Sequence, residues 1–349
     1  NAHIDPVWLW HWEAGVTETI STFRIAADFC ESHRGFVFNH NEALLYRWIE
    51  QHDPELFARI QQLVAAGRWH VAGGAYLQPD VNNPHGESHI RQFLLGLGYF
   101  KEKFEVRPRT AYNFDPFGHP EGFAQILKGC GMDSYIFCRP DYGTYDLPVG
   151  AFRWRDRSGA EVVTRRSDDH YLSNHGVRNV LDEWLPHYAS EPETMILWGV
   201  GNHGGGVTRA DYADLRRYMK EHPEYEWLHS TPERFFTAVR KGSAKLPVVE
   251  GEIEDSFPGC YTSMSRVKRA HRAAVRQHPL RRRGHRHGDS SETGKCRSQC
   301  DVAKECHKVH AALSNSGILV GDPRIAGIGI GVVGNGAGVF GSPGIGVVT

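Results

Sequence analysis

The stretch TAYNFDPFGHPEGFAQILKGCGMDSYIFC (residues 110–138) contains one complete strand–helix–strand unit. Its first five residues predict a strand that ends at Asp115, because the proline that follows cannot donate to a sheet ladder. A helix is predicted from near Pro120 to Gly131, since proline suits the first helical turn and glycine suits the position after the last one. The apolar run SYIFC then predicts a second strand. Together these elements predict two parallel strands joined by a helix.

The same alternation extends over residues 1–250. Helix starts are marked by Asp53-Pro54 and Thr231-Pro232, and Thr208 is a further predicted cap. Repeated units of this kind predict an α/β fold with a mostly parallel sheet covered by helices, as a barrel or as a doubly wound sheet. In both, the chemistry lies at the carboxyl ends of the strands. The predicted strands are Ala2–Asp5, Phe36–Asn39, Trp69–Ala72, Thr110–Phe114, Ser134–Cys138, Phe152–Arg155, Glu161–Arg165, Met195–Val200 and Val248–Glu252.

The composition is that of an ordinary soluble enzyme. The 349 residues carry a net charge of −1, which gives no general attraction to nucleic acid or to anionic membranes, so neither is an expected partner. Seven cysteines, an odd number in a long chain, do not predict a secreted disulfide framework. No signal peptide is recognisable, which favours a cytoplasmic location, and a start at Asn1 inside a predicted strand is typical of a fragment.

The opening NAHIDPVWLW contains a candidate metal site. His3 and Asp5 lie two residues apart on a predicted strand, so their side chains point to the same face, and both are common zinc ligands. The simpler alternative is a surface histidine beside an Asp-Pro turn. Trp8 is the expected stacking surface for a ligand, whereas Trp10 and Trp12 are expected to be core residues.

Three further strand ends carry polar side chains. Asp115 lies at the same predicted edge as His3, either as a metal partner or as a helix cap. The loop AGGAYLQPDVNNPHGES combines Asp80 with amide side chains and an aromatic ring, as carbohydrate sites do, although a plain polar loop is the alternative. The loop Gly201-Asn202-His203 is rich in glycine but lacks the lysine and the spacing of a phosphate-binding loop.

After about Arg272 the sequence changes character, which predicts a domain over 1–272 and a disordered tail over 273–349. The tail lacks apolar periodicity, and its glycines make the uncharged end a poor membrane span. Two weaker alternatives are a basic run that binds nucleic acid and a zinc knuckle with irregular spacing. The knuckle would use Cys296, Cys300, Cys306, His307 and His310.

Five motifs in this order resemble the N-terminal catalytic domain of glycoside hydrolase family 38, the class II α-mannosidases. The resemblance covers about residues 1–272 and implies an irregular seven-stranded parallel β/α barrel, a retaining mechanism and an active-site zinc ion. It also implies an α-mannoside substrate, and homo-oligomer formation stays open. The motifs are AHIDPVWLW, GESHIRQ, YNFDPFGHP, GNHGGGVT and FPGCYTSMSRVKR.

The resemblance assigns roles to residues of this chain. His3, Asp5 and Asp115 match the family's zinc ligands, and Asp115 also matches its nucleophile. The family's acid/base, often an aspartate, matches Asn202, which cannot supply a proton. His203 is therefore the expected acid/base, because imidazole titrates near neutral pH, with Asn202 left as a substrate contact.

Two aspartates and a missing segment qualify this assignment. Asp168 and Asp169 are weaker candidates for the acid. The family's remaining zinc histidine lies in a later helical region that is not recognisable here. We therefore expect weak or no mannosidase activity from this chain, a protease-sensitive tail, and recovery of activity when a family-like downstream region is restored.

Two other functions remain open from the sequence. A metal-dependent polysaccharide deacetylase also uses a His/Asp metal site but would release acetate. A remnant without activity would at most bind sugar or zinc.

Overall fold

A computed structural model describes residues 1–167, 171–189, 191–201, 205–254 and 259–277. Residues 1–254 of these belong to one compact unit, and residues 259–277 belong to another. Asp168, Asp169, Asn202, His203 and the predicted knuckle residues lie outside the described residues, as does the predicted tail beyond Gln277.

The described strands form three sheets with mostly parallel pairing. β1 and β2 form a parallel pair, β3-β5-β7-β6-β8 form a five-stranded sheet in that order, and β4 pairs antiparallel with β9. Within the large sheet β6 pairs antiparallel with β7, and the other neighbouring strands pair in parallel. The strands are β1 (Phe38–His40), β2 (Trp69–Val71), β3 (Thr110–Asn113), β4 (Gly118–His119), β5 (Ser134–Phe137), β6 (Ala151–Arg155), β7 (Glu161–Arg166), β8 (Val248–Glu250) and β9 (Ile253–Glu254).

The helices cover this framework. In the first unit they are α1 (Trp12–Ser32), α2 (Ala43–His52), α3 (Pro54–Ala65), α4 (Gly86–Phe104), α5 (Phe123–Gly129), α6 (Val177–Trp184), α7 (Arg209–Glu221) and α8 (Pro232–Lys241). Two short 3₁₀ turns span Leu185–Tyr188 and Ser243–Lys245. The second unit contains α9 (Gly259–Thr262) and α10 (Ser265–Gln277), so α10 continues beyond the predicted boundary at Arg272.

The predicted helix caps are confirmed. Asp53 accepts a hydrogen bond from the Leu56 amide at the start of α3, and Thr231 does the same for the Arg234 amide in α8. Thr208 caps α7. Each side-chain oxygen satisfies an amide that has no partner inside its helix, which fixes where the helix begins.

Two of the predicted strands are wrong. Segments 2–5 and 195–200 are largely buried but are not paired as strands in the described structure. The Gly199 amide donates to the Ser173 hydroxyl, and the Val200 amide donates to the Gly206 carbonyl. Because loop contacts with Ser173 and Gly206 take these groups, the second segment fills the core without joining a ladder. The mixed α/β fold with a parallel-rich sheet is confirmed, whereas a closed seven-stranded barrel stays a prediction.

A close backbone approach places the segment after β2. Gly96 in α4 packs against this segment, and a Cβ atom there would lie 2.4 Å from the Gly74 carbonyl oxygen and 2.6 Å from the Tyr76 amide. The Tyr76 amide donates to the Gln92 carbonyl of the same helix. Glycine at position 96 therefore allows α4 to hold the loop that leads from β2 toward Asp80.

No helix in the described residues is long and apolar enough to cross a membrane.

Candidate active site

Hydrogen bonds connect the segments that follow three neighbouring strands. The Gln78 amide, after β2, donates to Glu42 Oε1, after β1, over 2.9 Å. The Gln78 side chain accepts from the Phe114 amide, after β3, over 2.7 Å. Asn113 Nδ2 donates to the Pro79 carbonyl over 2.8 Å. The carboxyl ends of these strands therefore form one connected edge, as the sequence predicted.

His3 is buried at this edge beside Asp5. Its Nε2 atom lies 3.3 Å from Asp5 Oδ1, and its ring stacks on Tyr171 with centroids 4.0 Å apart and planes inclined by 27°. Burial alone would lower the pKa of His3, but Asp5, Asp115 and Glu42 together raise it above its ordinary value. The carboxylates therefore make this position favourable for a positive charge.

Asp115 lies two residues beyond β3 and pairs with Arg139, which lies two residues beyond β5. Arg139 Nε donates to Asp115 Oδ1, while Nη1 donates to Asp141 Oδ2 over 3.2 Å. Asp115 is about one-quarter exposed and Arg139 is 17% exposed. The backbone of Arg139 is fixed as well, because its carbonyl lies 2.8 Å from Nε2 of the buried His119. Asp115 is thus a carboxylate of defined orientation that solvent can still reach.

The three predicted metal ligands are only partly assembled. Within the described ranges, no three His, Cys, Asp or Glu side chains are grouped so that they could hold a metal ion. His3 and Asp5 are adjacent, but Asp115 is paired with Arg139. Neither ring nitrogen of His3 completes a hydrogen bond in the described structure although both are buried. A cation beside Asp5 would satisfy one of them, so His3 and Asp5 fit a zinc ion, and the role of Asp115 as a third ligand stays a prediction.

Glu42 is a second buried carboxyl group at this edge, and sequence reasoning missed it. It is 2% exposed, has φ of 68°, and its Oε2 atom has no hydrogen-bond partner in the described structure. Burial raises the pKa of Glu42 to about 7, although the hydrogen bond from Gln78 and the charge of His3 oppose the shift. A glutamate directly after an apolar strand was the available sequence signal, but the positive φ was not predictable from a non-glycine residue.

The three tryptophans near His3 differ from one another. Trp8 is 44% exposed and contacts the edge of Trp10, with ring centroids 5.4 Å apart. Trp10 is half-buried and donates from its indole nitrogen to the Asp5 carbonyl over 3.2 Å. Trp12 begins α1 and is 49% exposed, so its prediction as a core residue is wrong, because the first turn of this helix faces solvent. The predicted stacking role of Trp8 stays a prediction.

Asp80 stabilises its own loop. Its carboxylate accepts hydrogen bonds from the amides of Asn82 and Asn83 over 2.8 and 3.2 Å, and Asn83 Nδ2 donates to the second oxygen. These contacts organise a turn. The predicted role of Asp80 in substrate binding stays a prediction.

The glycine-rich loop is described at its two ends, Gly201 and Gly205. The Gly201 amide donates to the Gly205 carbonyl over 3.0 Å, so the loop ends meet. A Cβ atom on Gly201 would lie 2.9 Å from the Tyr171 carbonyl oxygen. Since Tyr171 stacks on His3, Gly201 lies next to a residue that contacts a predicted metal ligand.

Sequence reasoning also missed Tyr171 and Arg139. Tyr171 is almost fully buried. Its burial raises the pKa of its hydroxyl, and the negative charges of Asp115 and Asp5 add to this rise. An aromatic residue shortly after β7 and an arginine shortly after β5 were the available signals, and neither pattern is specific. A cavity of about 410 Å³ that includes Glu233 lies away from these residues. Glu233 accepts from the Thr110 amide at the start of β3, so the cavity is at the opposite edge of the sheet.

Comparisons with known proteins identify the family of this chain. Residues 1–258 match the family described as the glycosyl hydrolases family 38 N-terminal domain. The chain is 28% identical to alpha-mannosidase G of Dictyostelium discoideum, over 78% of this chain and 26% of that protein. It is 26% identical to alpha-mannosidase 2C1 of Homo sapiens, over 79% of this chain and 27% of that protein. The chain therefore spans about a quarter of the length of these relatives.

A solved structure shares the fold. An alpha-mannosidase from Enterococcus faecalis V583 superposes with a TM-score of 0.61 at 20% identity, over 72% of this chain and 30% of that chain. At this identity the likeness concerns the fold alone. The sequence match over residues 1–258 and the shared fold agree, and the chain belongs to glycosyl hydrolase family 38, of which it carries the N-terminal domain.

Proposed function

We propose that this domain is the catalytic part of a retaining α-mannosidase that hydrolyses terminal α-mannosides. The observation that carries the proposal is the Asp115–Arg139 pair, which lies close enough to His3 for the Asp115 charge to raise the pKa of that histidine. A carboxylate held by a guanidinium and reached by solvent suits a nucleophile that attacks an anomeric carbon. Membership in family 38 supports the glycosidic substrate.

In this proposal Asp115 forms and then releases the covalent sugar intermediate. Arg139 orients the attacking carboxylate, because its Nε–H donates to one oxygen of Asp115. Tyr171, which is nearly fully buried and stacks on His3, excludes water from that side of the histidine. Retention requires a second carboxyl or equivalent acid about 5–5.5 Å from the first. We assign this acid/base role to His203, with Asp168 and Asp169 as the weaker alternatives.

The proposed zinc site consists of His3, Asp5 and Asp115. A bound zinc ion would act as a Lewis acid and bind hydroxyl oxygens of the mannosyl ring. His3 suits this role because its buried ring nitrogens complete no hydrogen bond in the described structure. Trp8 would stack on the sugar, and Asp80 and Asn202 would contact its hydroxyl groups. The seven-stranded barrel and the cytoplasmic location belong to the same proposal.

Hydrolysis of an aryl α-mannoside tests this function. The chain is assayed alone and joined to the downstream region of a longer relative, and Asp115→Asn is compared with Asp133→Asn. Asp133 is also a largely buried aspartate paired with arginines, but it lies beside the start of β5, at the opposite edge. We expect Asp115→Asn to lose activity by about three or more orders of magnitude while Asp133→Asn keeps its turnover.

Three results would contradict parts of the proposal. Release of acetate from an acetylated glycan without mannoside cleavage would favour the deacetylase alternative. Absence of both activities in the joined protein would favour the remnant. Robust turnover by the chain alone would support the function but contradict the expected need for a downstream region.

A further inference from the structure

We propose that Arg166 is a positioning residue for the nucleophile: its buried guanidinium fixes the backbone of residues 140–145 and thereby holds Arg139 on the Asp115 carboxylate. This inference rests on the proposed function of Asp115. It concerns how the carboxylate is oriented, which the family relationship does not assign.

Arg166 is one of the most buried charged residues in the described structure. It is 2% exposed and ends β7. Its Nη1 atom donates to the carbonyls of Pro140, Asp141 and Tyr145 over 3.2, 3.3 and 3.0 Å. A guanidinium without solvent is costly unless it is hydrogen-bonded, so these contacts strongly favour one arrangement of the segment.

A ring completes the support. The Arg166 guanidinium carbon lies 3.8 Å from the centroid of the Tyr142 ring, which belongs to the same segment. Residues 140–145 are therefore held through their carbonyls and through one of their side chains. Arginine suits this position because a planar group can stack on a ring and donate in its own plane at the same time.

The segment begins directly after Arg139, which makes the connection to Asp115 short. Phe137 pairs with Arg166 in the ladder between β5 and β7, and the Ser167 amide donates to the Phe137 carbonyl over 2.7 Å. Arg139 therefore follows, by two residues, the end of the strand that pairs with Arg166. The Asp141 carboxylate also accepts a hydrogen bond from Arg139 Nη1. Displacement of Asp141 would therefore remove one of the hydrogen bonds that hold the Arg139 guanidinium.

Arg165 provides a matched control on the same strand. It is equally buried at 2%, but its side chain donates to Thr194 and lies over the rings of Tyr188 and Phe235. The replacement Arg165→Gln should destabilise the fold as Arg166→Gln does. It should not alter the Arg139–Asp115 pair, because Thr194, Tyr188 and Phe235 lie in other segments.

The first test observes Arg139 directly in the 349-residue chain. The protein is labelled with ¹⁵N-arginine, and the Nε–H resonance of Arg139 is identified by its loss in Arg139→Lys. We expect a downfield, slowly exchanging signal that persists in Arg165→Gln and is lost or shifted in Arg166→Gln. Arg166→Lys serves as a second variant that keeps the charge. An unchanged Arg139 signal in either folded Arg166 variant would overturn the proposal.

The second test measures turnover of an aryl α-mannoside in a double-mutant cycle, using the protein joined to the downstream region of a longer relative. Arg166→Gln should lower kcat about 10²-fold, the scale expected for a misplaced reacting group. In the Arg139→Gln background it should cause no further loss, because Arg166 acts through Arg139. Independent, multiplying losses would indicate a merely structural role and contradict the inference. If Arg139 responds as expected but no variant cleaves mannosides, the positioning holds and the proposed function fails.

Discussion

Replacing Glu42 by glutamine should remove a pH-dependent loss of stability. Glu42 is 2% exposed, and burial raises the pKa of its carboxyl from 4.5 to about 7. At 1.36 kcal/mol for each pKa unit, this difference corresponds to about 3 kcal/mol. Between pH 4.5 and 7 the folded chain binds more protons than the unfolded chain, so its stability falls as pH rises. The loss is complete above about pH 7 and absent below pH 4.5.

The assay is urea unfolding of the wild type and of Glu42→Gln at several pH values from 4.5 to 8.5. Glutamine keeps the acceptor for the Gln78 amide and cannot ionise, so the variant should gain up to about 3 kcal/mol over the wild type at pH 8 and nothing near pH 4.5. Glu105→Gln is the control, since Glu105 also has a positive φ, of 59°, but is exposed. Parallel stability curves for the wild type and Glu42→Gln would refute the reasoning.

Three further outcomes follow from the packing and from the proposed metal site. Gly96→Ala should lower the free energy of unfolding by about 1–3 kcal/mol in denaturant titrations, because the new Cβ atom meets backbone atoms. Gly98→Ala on the same helix is the control and should be neutral or stabilising, because nothing lies within 4 Å of its Cβ position. Tyr46→Phe should cost about 1–3 kcal/mol, since it leaves the buried Trp69 indole nitrogen without its 2.8 Å acceptor; an unchanged melting temperature would contradict this. Metal analysis of purified protein should find zinc in the wild type and much less in His3→Ala, and equal contents would exclude His3 as a ligand.

Local signals in the sequence were sufficient for the helix starts and for most strand ends. Asp53, Thr208 and Thr231 cap helices through contacts within three residues, so a short pattern contains all the relevant physics. Asp115 was placed correctly at a strand end because a proline terminates the ladder there.

The contacts that shape the candidate site are long-range, and the sequence does not encode them in any local pattern. Tyr171 stacks on His3 and Arg139 binds Asp115 only because the fold brings separate strand ends together. The apolar segment 195–200 was wrongly predicted as a strand for a similar reason, since one of its partners, Ser173, lies in another segment. Its burial was apparent from composition, but its hydrogen-bond partners were not.

Peptide mapping after reaction with a fluorinated mannosyl trapping reagent tests the central claim most directly. The reagent forms a stable ester with the nucleophile of a retaining mannosidase. Using the protein joined to the downstream region of a longer relative, we predict a single label on Asp115, which Asp115→Asn abolishes and Asp133→Asn retains. A label on another carboxylate, or turnover of aryl α-mannosides without any label on Asp115, would contradict the account.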